Sequence, residues 1–295
     1  MSIEMQAEPR WQRLHEPRPQ LWPVVVDAPH SGRRYPESFV AASRLSAHSL
    51  RRSEDAFVDL LFQDVVALGA PLLVAEFPRA YVDVNREPYE LDPRMFEGRL
   101  PGYANTRSVR VAGGLGTVPR IVGDGQEIYR SRLPVEDALW RIENIYRPYH
   151  ACLRELIART ASRFGSALLV DAHSMPASSL KREGMPLADI VLGDRYGTSA
   201  APPIVDIAES ALREAGFRVA RNRPYAGGFI TEAYGEPLCG RHALQIEITR
   251  ALYMDEQRIE PHSGFDAVRN GIRQALAGAF EDWGDLLAPR RMAAE

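Results

Sequence analysis

The chain has 295 residues, of which 45% are apolar and 25% charged, with a formal net charge of −3. These proportions are ordinary globular usage and exclude collagen-like, coiled-coil and broadly disordered chains; folded as one unit, such a chain buries roughly three quarters of the surface it exposes when unfolded. No run of Lys and Arg is present to follow a phosphate backbone, so nucleic acid is not an expected partner, although a local Arg cluster remains open to a small anion.

Residues 1 to 18 are polar, with Glu4, Glu8, Arg10 and Arg13, and lack the apolar core of a secretory signal. No stretch approaches the roughly 18 to 20 consecutive apolar residues of a spanning helix, so no membrane partner is expected. Two cysteines, Cys152 and Cys239, without any CxxC pair, suit a reducing compartment and a cytoplasmic protein.

Short apolar runs closed by turn or polar residues predict strands at Leu21–Asp27, Pro71–Phe77, Ala80–Val84, Ala167–Asp171, Asp189–Leu192, Phe217–Ala220 and Ala243–Ile248. Between them, apolar spacings of three and four predict helices over Asp55–Leu68, Val135–Phe164, Ile204–Ala215 and about Phe265–Phe280. Pro148 should kink or split the second of these. The segment Glu87–Gln126 is rich in Pro, Gly and Arg; a loop of that length in a compact domain is more often a functional lid than a linker. The tail beyond Leu287 is expected to fray. The alternation predicts a single α/β domain with its core at about residues 20–285. Its central sheet should be mixed and mostly parallel, with helices on both faces. Nothing in the pattern fixes the oligomeric state.

The informative polar residues sit at strand ends. Asp27 and His30 follow Val-Val-Val, Asp171 and His173 follow Ala-Leu-Leu-Val, and Glu247 lies within Ala-Leu-Gln-Ile-Glu-Ile. The carboxyl edge of an open α/β sheet is where ligands bind. Two His residues with a carboxylate suit Zn²⁺ and leave a position open for water, with Asp55 as the third ligand and Glu54 as its fallback. Glu247 is then placed to move protons, since a buried carboxylate wants a metal, an Arg or a function. The bland alternatives are real. A lone His after a strand is more often a structural hydrogen-bonder, and Asp27 and Asp171 can cap loops or orient the His residues. His150 reads as a packing residue, His242 as a strand entry and Cys239 as a buried structural thiol.

The ordered set Pro29-His30-Ser31-Gly32, Arg79 to Arg86 (Arg-Ala-Tyr-Val-Asp-Val-Asn-Arg), Asp171-Ala172-His173-Ser174, Gly227-Gly228-Phe229-Ile230-Thr231 and Gln245-Ile246-Glu247 closely resembles the N-formylglutamate amidohydrolase family. Tyr146 to His150 and Leu252 to Glu256 also look like family segments. The resemblance runs from about Val24 to Glu256, and through it the chain is similar to zinc carboxypeptidases and aspartoacylases, implying a phosphorylase/hydrolase-like fold. It implies hydrolysis of a small acidic N-acyl amino acid, N-formyl-L-glutamate first, late in histidine degradation. It implies one zinc ion, or another divalent metal, at His30 and His173, with Asp55 kept from the residue reading as the acidic ligand, and the general base at Glu247. Arg79 takes the oxyanion; Asn85 and Arg86 take the substrate carboxylate, with Gly227, Gly228, Thr231 and Tyr225 near the pocket. Two departures stand out. Carboxypeptidases carry Glu three residues after the first His where this chain has Arg33, and some family members read Gly-Gly-His-Ile-Thr where this chain has Phe229. The second departure implies a sister activity on another N-acyl amino acid or small peptide. A metal-free binder of small acids is the reading from another class, and retention of both His residues and Glu247 argues against it.

Overall fold

The computed structural model describes residues 11–181 and 187–288. The tail expected to fray lies outside the described residues, apart from Ala288. Seven strands form the main sheet: β1 (Gln12–His15), β2 (Val24–Ala28), β3 (Leu72–Ala75), β4 (Ala167–Met175), β5 (Ile190–Gly193), β6 (Val219–Arg221) and β7 (Arg241–Thr249). Their spatial order is β1-β3-β2-β4-β7-β5-β6. The pairs β1–β3 and β5–β7 are antiparallel and the other neighbours are parallel, so the sheet is mixed and mostly parallel, as expected.

The two-residue period of the strands sorts the core into two layers. One face sends Val24, Val26, Leu168, Val170, Leu244 and Ile246 against helices α4 (Pro202–Glu214) and α6 (Phe265–Leu287). The other sends Val25, Leu73, Leu169 and Ala243 against α2 (Val135–Arg141) and α3 (Arg147–Phe164). The central strand β4 is buried along its whole length, which explains its near-continuous apolar start.

Two expectations need correction. Ala80–Val84 is not a strand. Tyr81 and Val82 turn back to the Pro78 carbonyl, and Ala80, Val82 and Val84 fill the layer beneath α2 and α3. An apolar run of this length does not distinguish a strand from a buried turn. Asp55–Leu68 is not one helix but a short α1 (Val58–Phe62) followed by a 3₁₀ turn. Phe57 breaks the pattern at φ +68°, a left-handed conformation costly for an aromatic residue. It lies two residues from Asp55. Val135–Phe164 is helical throughout and is not split at Pro148. A π-helical turn over Ile142–Tyr146 precedes Pro148 and absorbs its missing N–H and ring clash. Strand β1 and the short helix α5 (Phe229–Tyr234) carry no clear period and were not anticipated.

The widened turn orients three side chains toward the centre of the molecule. Tyr146 Oη donates to the Arg86 carbonyl at 2.7 Å, Tyr149 Oη to Asp27 Oδ2 at 2.9 Å, and His150 Nε2 to the Val84 carbonyl at 2.8 Å. Because a carbonyl only accepts, Nε2 of His150 carries the proton and Nδ1 accepts from Tyr234 Oη at 2.7 Å. Burial depresses His150 to about 4, with Val84 opposing and Arg154 adding. A folded value below the ordinary one means that the fold disfavours the charged ring. The stabilisation is therefore full above pH ~6.5 and lost as pH falls toward 4, a span worth about 3 kcal/mol. Urea midpoints measured between pH 7 and 4.5 should decline more steeply for wild type than for His150→Gln.

Candidate metal centre and its cavity

The α2/α3-facing side of the sheet changes character toward its carboxyl edge. In register, Asp27, Asp171 and Gln245 lie abreast, and His173 and Glu247 lie abreast one pleat further along. The same alternation that buries Val25, Leu169 and Ala243 thus carries five polar side chains onto one patch. Just past β2, the turn through Gly32 brings in His30. A Cβ on Gly32 would collide with the Phe77 carbonyl, so the close approach requires glycine. The Asp55 N–H donates to the His30 carbonyl at 3.0 Å, fixing that residue beside the turn.

His30, Asp55 and His173 are all buried, and one ligand atom from each lies within 4.8 Å of the others. Asp55 Oδ2 is 2.8 Å from His173 Nδ1 and 3.4 Å from His30 Nδ1. His30 Nε2 donates to Asp83 Oδ1 at 2.8 Å, which leaves Nδ1 as a lone-pair nitrogen aimed into the cluster without a hydrogen-bond partner. An orphaned, buried imidazole nitrogen facing a carboxylate and a second imidazole fits a divalent cation and fits little else. His173 Nε2 touches Asp171 Oδ1 at 2.7 Å, out of line for a good hydrogen bond, and Asn85 Nδ2 at 3.2 Å. Both rings therefore have a carboxylate behind them, the arrangement that orients metal-binding imidazoles.

The charges of this centre are strongly interdependent. Burial pushes Asp55 up, but the His173 hydrogen bond and the nearness of His30 more than offset it and hold the carboxyl well below its ordinary range. Burial likewise acts against Asp83, and Arg79 and Arg86 overcome it. Asp27 goes the other way. Burial and the Asp171 carboxylate push it well above the usual range, and Tyr149 only partly opposes them. Glu247, 7% exposed, accepts from Gln245 Nε2 at 2.9 Å. Burial raises it to about 7, with His173 opposing and Asp55 adding. A carboxyl poised there can both take and return a proton near neutrality.

A cavity of about 420 Å³ opens onto the cluster, lined by His30, Asp83, His173 and Glu247 among others. Arg79 faces it while donating from Nε to Asp83 Oδ2 at 2.9 Å. Asn85 and Arg86 also line it, but their polar atoms are largely occupied. Asn85 Oδ1 accepts from the Ile230 N–H at 2.8 Å, and Arg86 donates to the carbonyls of Leu115 (2.8 Å) and Asn85 (2.7 Å). Gly227 and Gly228 line it too, and a Cβ on Gly228 would collide with the Asn85 amide. Tyr225 reaches the cavity, its Oη 2.9 Å from Ser179 Oγ. Segment Glu87–Gln126 supplies one wall through Arg110, Leu115, Pro119 and Ile121.

Other candidates lie elsewhere. Glu54 turns away, accepting from Tyr35 Oη at 2.7 Å and Arg51 Nε at 3.1 Å, and Arg33 pairs with Asp59 at 2.7 Å. Thr231 Oγ1 donates to the Gly228 carbonyl at 2.9 Å and does not reach the cavity. Phe229 packs edge-on to His150 at 5.8 Å rather than lining the cavity, so the substitution that suggested another substrate does not alter the cavity wall. His242 is buried at the start of β7, away from the cavity. Cys239, expected to be buried, is exposed on the turn before β7, where Gly240 reverses the chain. Arg250 received no role from the sequence, although its position just beyond a strand bearing a buried Glu was a usable signal. It donates to Asp55 Oδ1 at 2.9 Å and to Ser174 Oγ at 3.1 Å.

A mixed α/β sheet with a His–Asp–His cluster and a buried Glu at its carboxyl edge defines a hydrolase with a candidate metal site. The model of the N-formylglutamate amidohydrolase family matches residues 22–254, and the chain belongs to that family. It is 30% identical over 267 residues to an N-formylglutamate deformylase of Pseudomonas aeruginosa, covering 89% of this chain and 94% of that one. A crystal structure of an N-formylglutamate amidohydrolase from Ralstonia eutropha JMP134 superposes with a TM-score of 0.86 at 37% identity, covering 92% and 98% of the two chains. A protein from Agrobacterium tumefaciens shares the fold at a TM-score of 0.65 and 18% identity, covering 95% and 94%. Among the described residues, no helix is long and apolar enough to cross a membrane.

Proposed function

We propose that this amidohydrolase cleaves N-formyl-L-glutamate to formate and L-glutamate, with zinc held by His30, Asp55 and His173. The observation that carries the reading is the orphaned Nδ1 of His30 facing Asp55 and His173, with Glu247 in the same cavity. The family's name and the relatives' names support the substrate. A bound divalent ion would supply an activated water and a positive charge for the formyl oxygen.

The chain's own residues do the rest. Glu247 takes one proton from the attacking water as its oxygen bonds to the formyl carbon. It passes that proton to the amide nitrogen as the C–N bond breaks, giving formic acid and the free amine; the acid's proton then passes to the amine, so formate and L-glutamate leave with atoms balanced. Arg79, held by Asp83, presents its guanidinium to the developing oxyanion. Its charge is secure, because Asp83 and Asp55 raise it against the opposing effect of burial. Arg86, through the edge that its two carbonyl bonds leave, and the Asn85 amide beside it receive the α-carboxylate. Formate release from N-formyl-L-glutamate, N-formyl-L-aspartate and N-acetyl-L-aspartate tests this reading. Turnover should be fastest on the first, and failure on it with turnover of another would move the assignment to that substrate.

A further inference from the structure

N-formyl-L-glutamate carries two carboxylates, and the residues placed so far account for one of them. The cavity wall formed by segment Glu87–Gln126 offers a group for the second. Arg110 sits on a short helical turn, Val109–Ala112, capped by Ser108 Oγ accepting from the Val111 N–H at 3.0 Å. Its side chain is about one-third exposed and lines the cavity. Arg79 and Arg86 face Asp83, and Arg250 donates to Asp55. Arg110, by contrast, meets Glu90 Oε2 only at 3.9 Å, beyond hydrogen-bond reach.

The loop fixes Arg110 relative to Arg86. The Leu115 N–H donates to the Arg110 carbonyl at 2.8 Å, and the Leu115 carbonyl accepts from Arg86 Nε at 2.8 Å. One residue thus ties the Arg110 backbone and the Arg86 side chain to the same wall. The mutual repulsion of the two guanidiniums is felt. Arg86 is lowered to about 10 by burial, with Asp83 opposing and Arg79 and then Arg110 adding. Neighbouring guanidiniums on a half-enclosed wall are an anion site, and a planar fork suits a carboxylate.

Resting on the functional reading above, we infer that Arg110 binds the side-chain carboxylate of the substrate and sets the preference for acidic over neutral N-formyl amino acids. The specificity of the enzyme would then reside in the Glu87–Gln126 segment, while the sheet edge supplies the chemistry.

The test compares wild type, Arg110→Met and Arg110→Lys on N-formyl-L-glutamate and its neutral isostere N-formyl-L-glutamine. The ratio of kcat/KM between two substrates on one preparation does not depend on how much of that preparation is folded. Arg110→Met should lower the glutamate-to-glutamine ratio by roughly tenfold or more, chiefly through KM on the acidic substrate, and Arg110→Lys should keep most of the preference. A ratio unchanged in Arg110→Met, with or without an equal fall on both substrates, overturns this assignment alone. Wild type inactive on both substrates overturns the functional reading and the assignment together.

Discussion

Glu247→Gln should lower kcat for formate release by about 10³-fold, within the range a positioned general base contributes, while bound metal and folding stay near wild type. The substitution keeps the shape of the side chain and its place beside Gln245, and removes only the ability to take a proton. Burial already disfavours the charged carboxyl, as its rise to about 7 records, so a neutral amide there costs the fold little. Steady-state kinetics, metal analysis and a melting curve on one preparation separate the possibilities. Retention of more than a tenth of wild-type kcat would remove Glu247 from the proton path.

The second large effect concerns the acidic ligand. Asp55→Asn should release the metal and abolish turnover in parallel, because Asp55 Oδ2 stands between the two imidazole nitrogens while Oδ1 receives Arg250. An amide oxygen carries no charge for the cation, and a loss of well over 100-fold in affinity is expected, since even partners behind the ligands are worth about 10- to 100-fold. Glu54→Gln is the matched control. Its carboxylate is engaged by Tyr35 and Arg51, so that variant should keep its metal. Metal content after dialysis reads both, and the reverse ranking would place the ligand at Glu54.

The sequence made much of this legible because each element of the sheet edge pairs an apolar run with a polar residue at its end. Val24 to Asp27, Ala167 to His173 and Ala243 to Glu247 carry that signal in consecutive residues, and the strands are where the runs predict them. What was hidden depends on long-range contacts. Asp83 takes both His30 and Arg79 because the chain bends at Pro78, and an apolar run does not report such a bend. The π turn before Pro148 aligns Tyr146, Tyr149 and His150 with residues 60 to 122 positions away, which local helix periodicity does not encode. The occupancy of Asn85 by the Ile230 N–H arises only once Gly228 lets two distant segments touch. Arg110 lies in a segment without periodicity, and its proximity to Arg86 rests on a single pair of bonds through Leu115.

Formate release from N-formyl-L-glutamate by one preparation, taken as purified, after chelation and dialysis, and after addition of one equivalent of Zn²⁺, tests the central claim most directly. Activity that is present, lost and restored in those three states, with one metal per chain in the first and last, is the predicted result. Undiminished release by protein shown to be metal-free would contradict it.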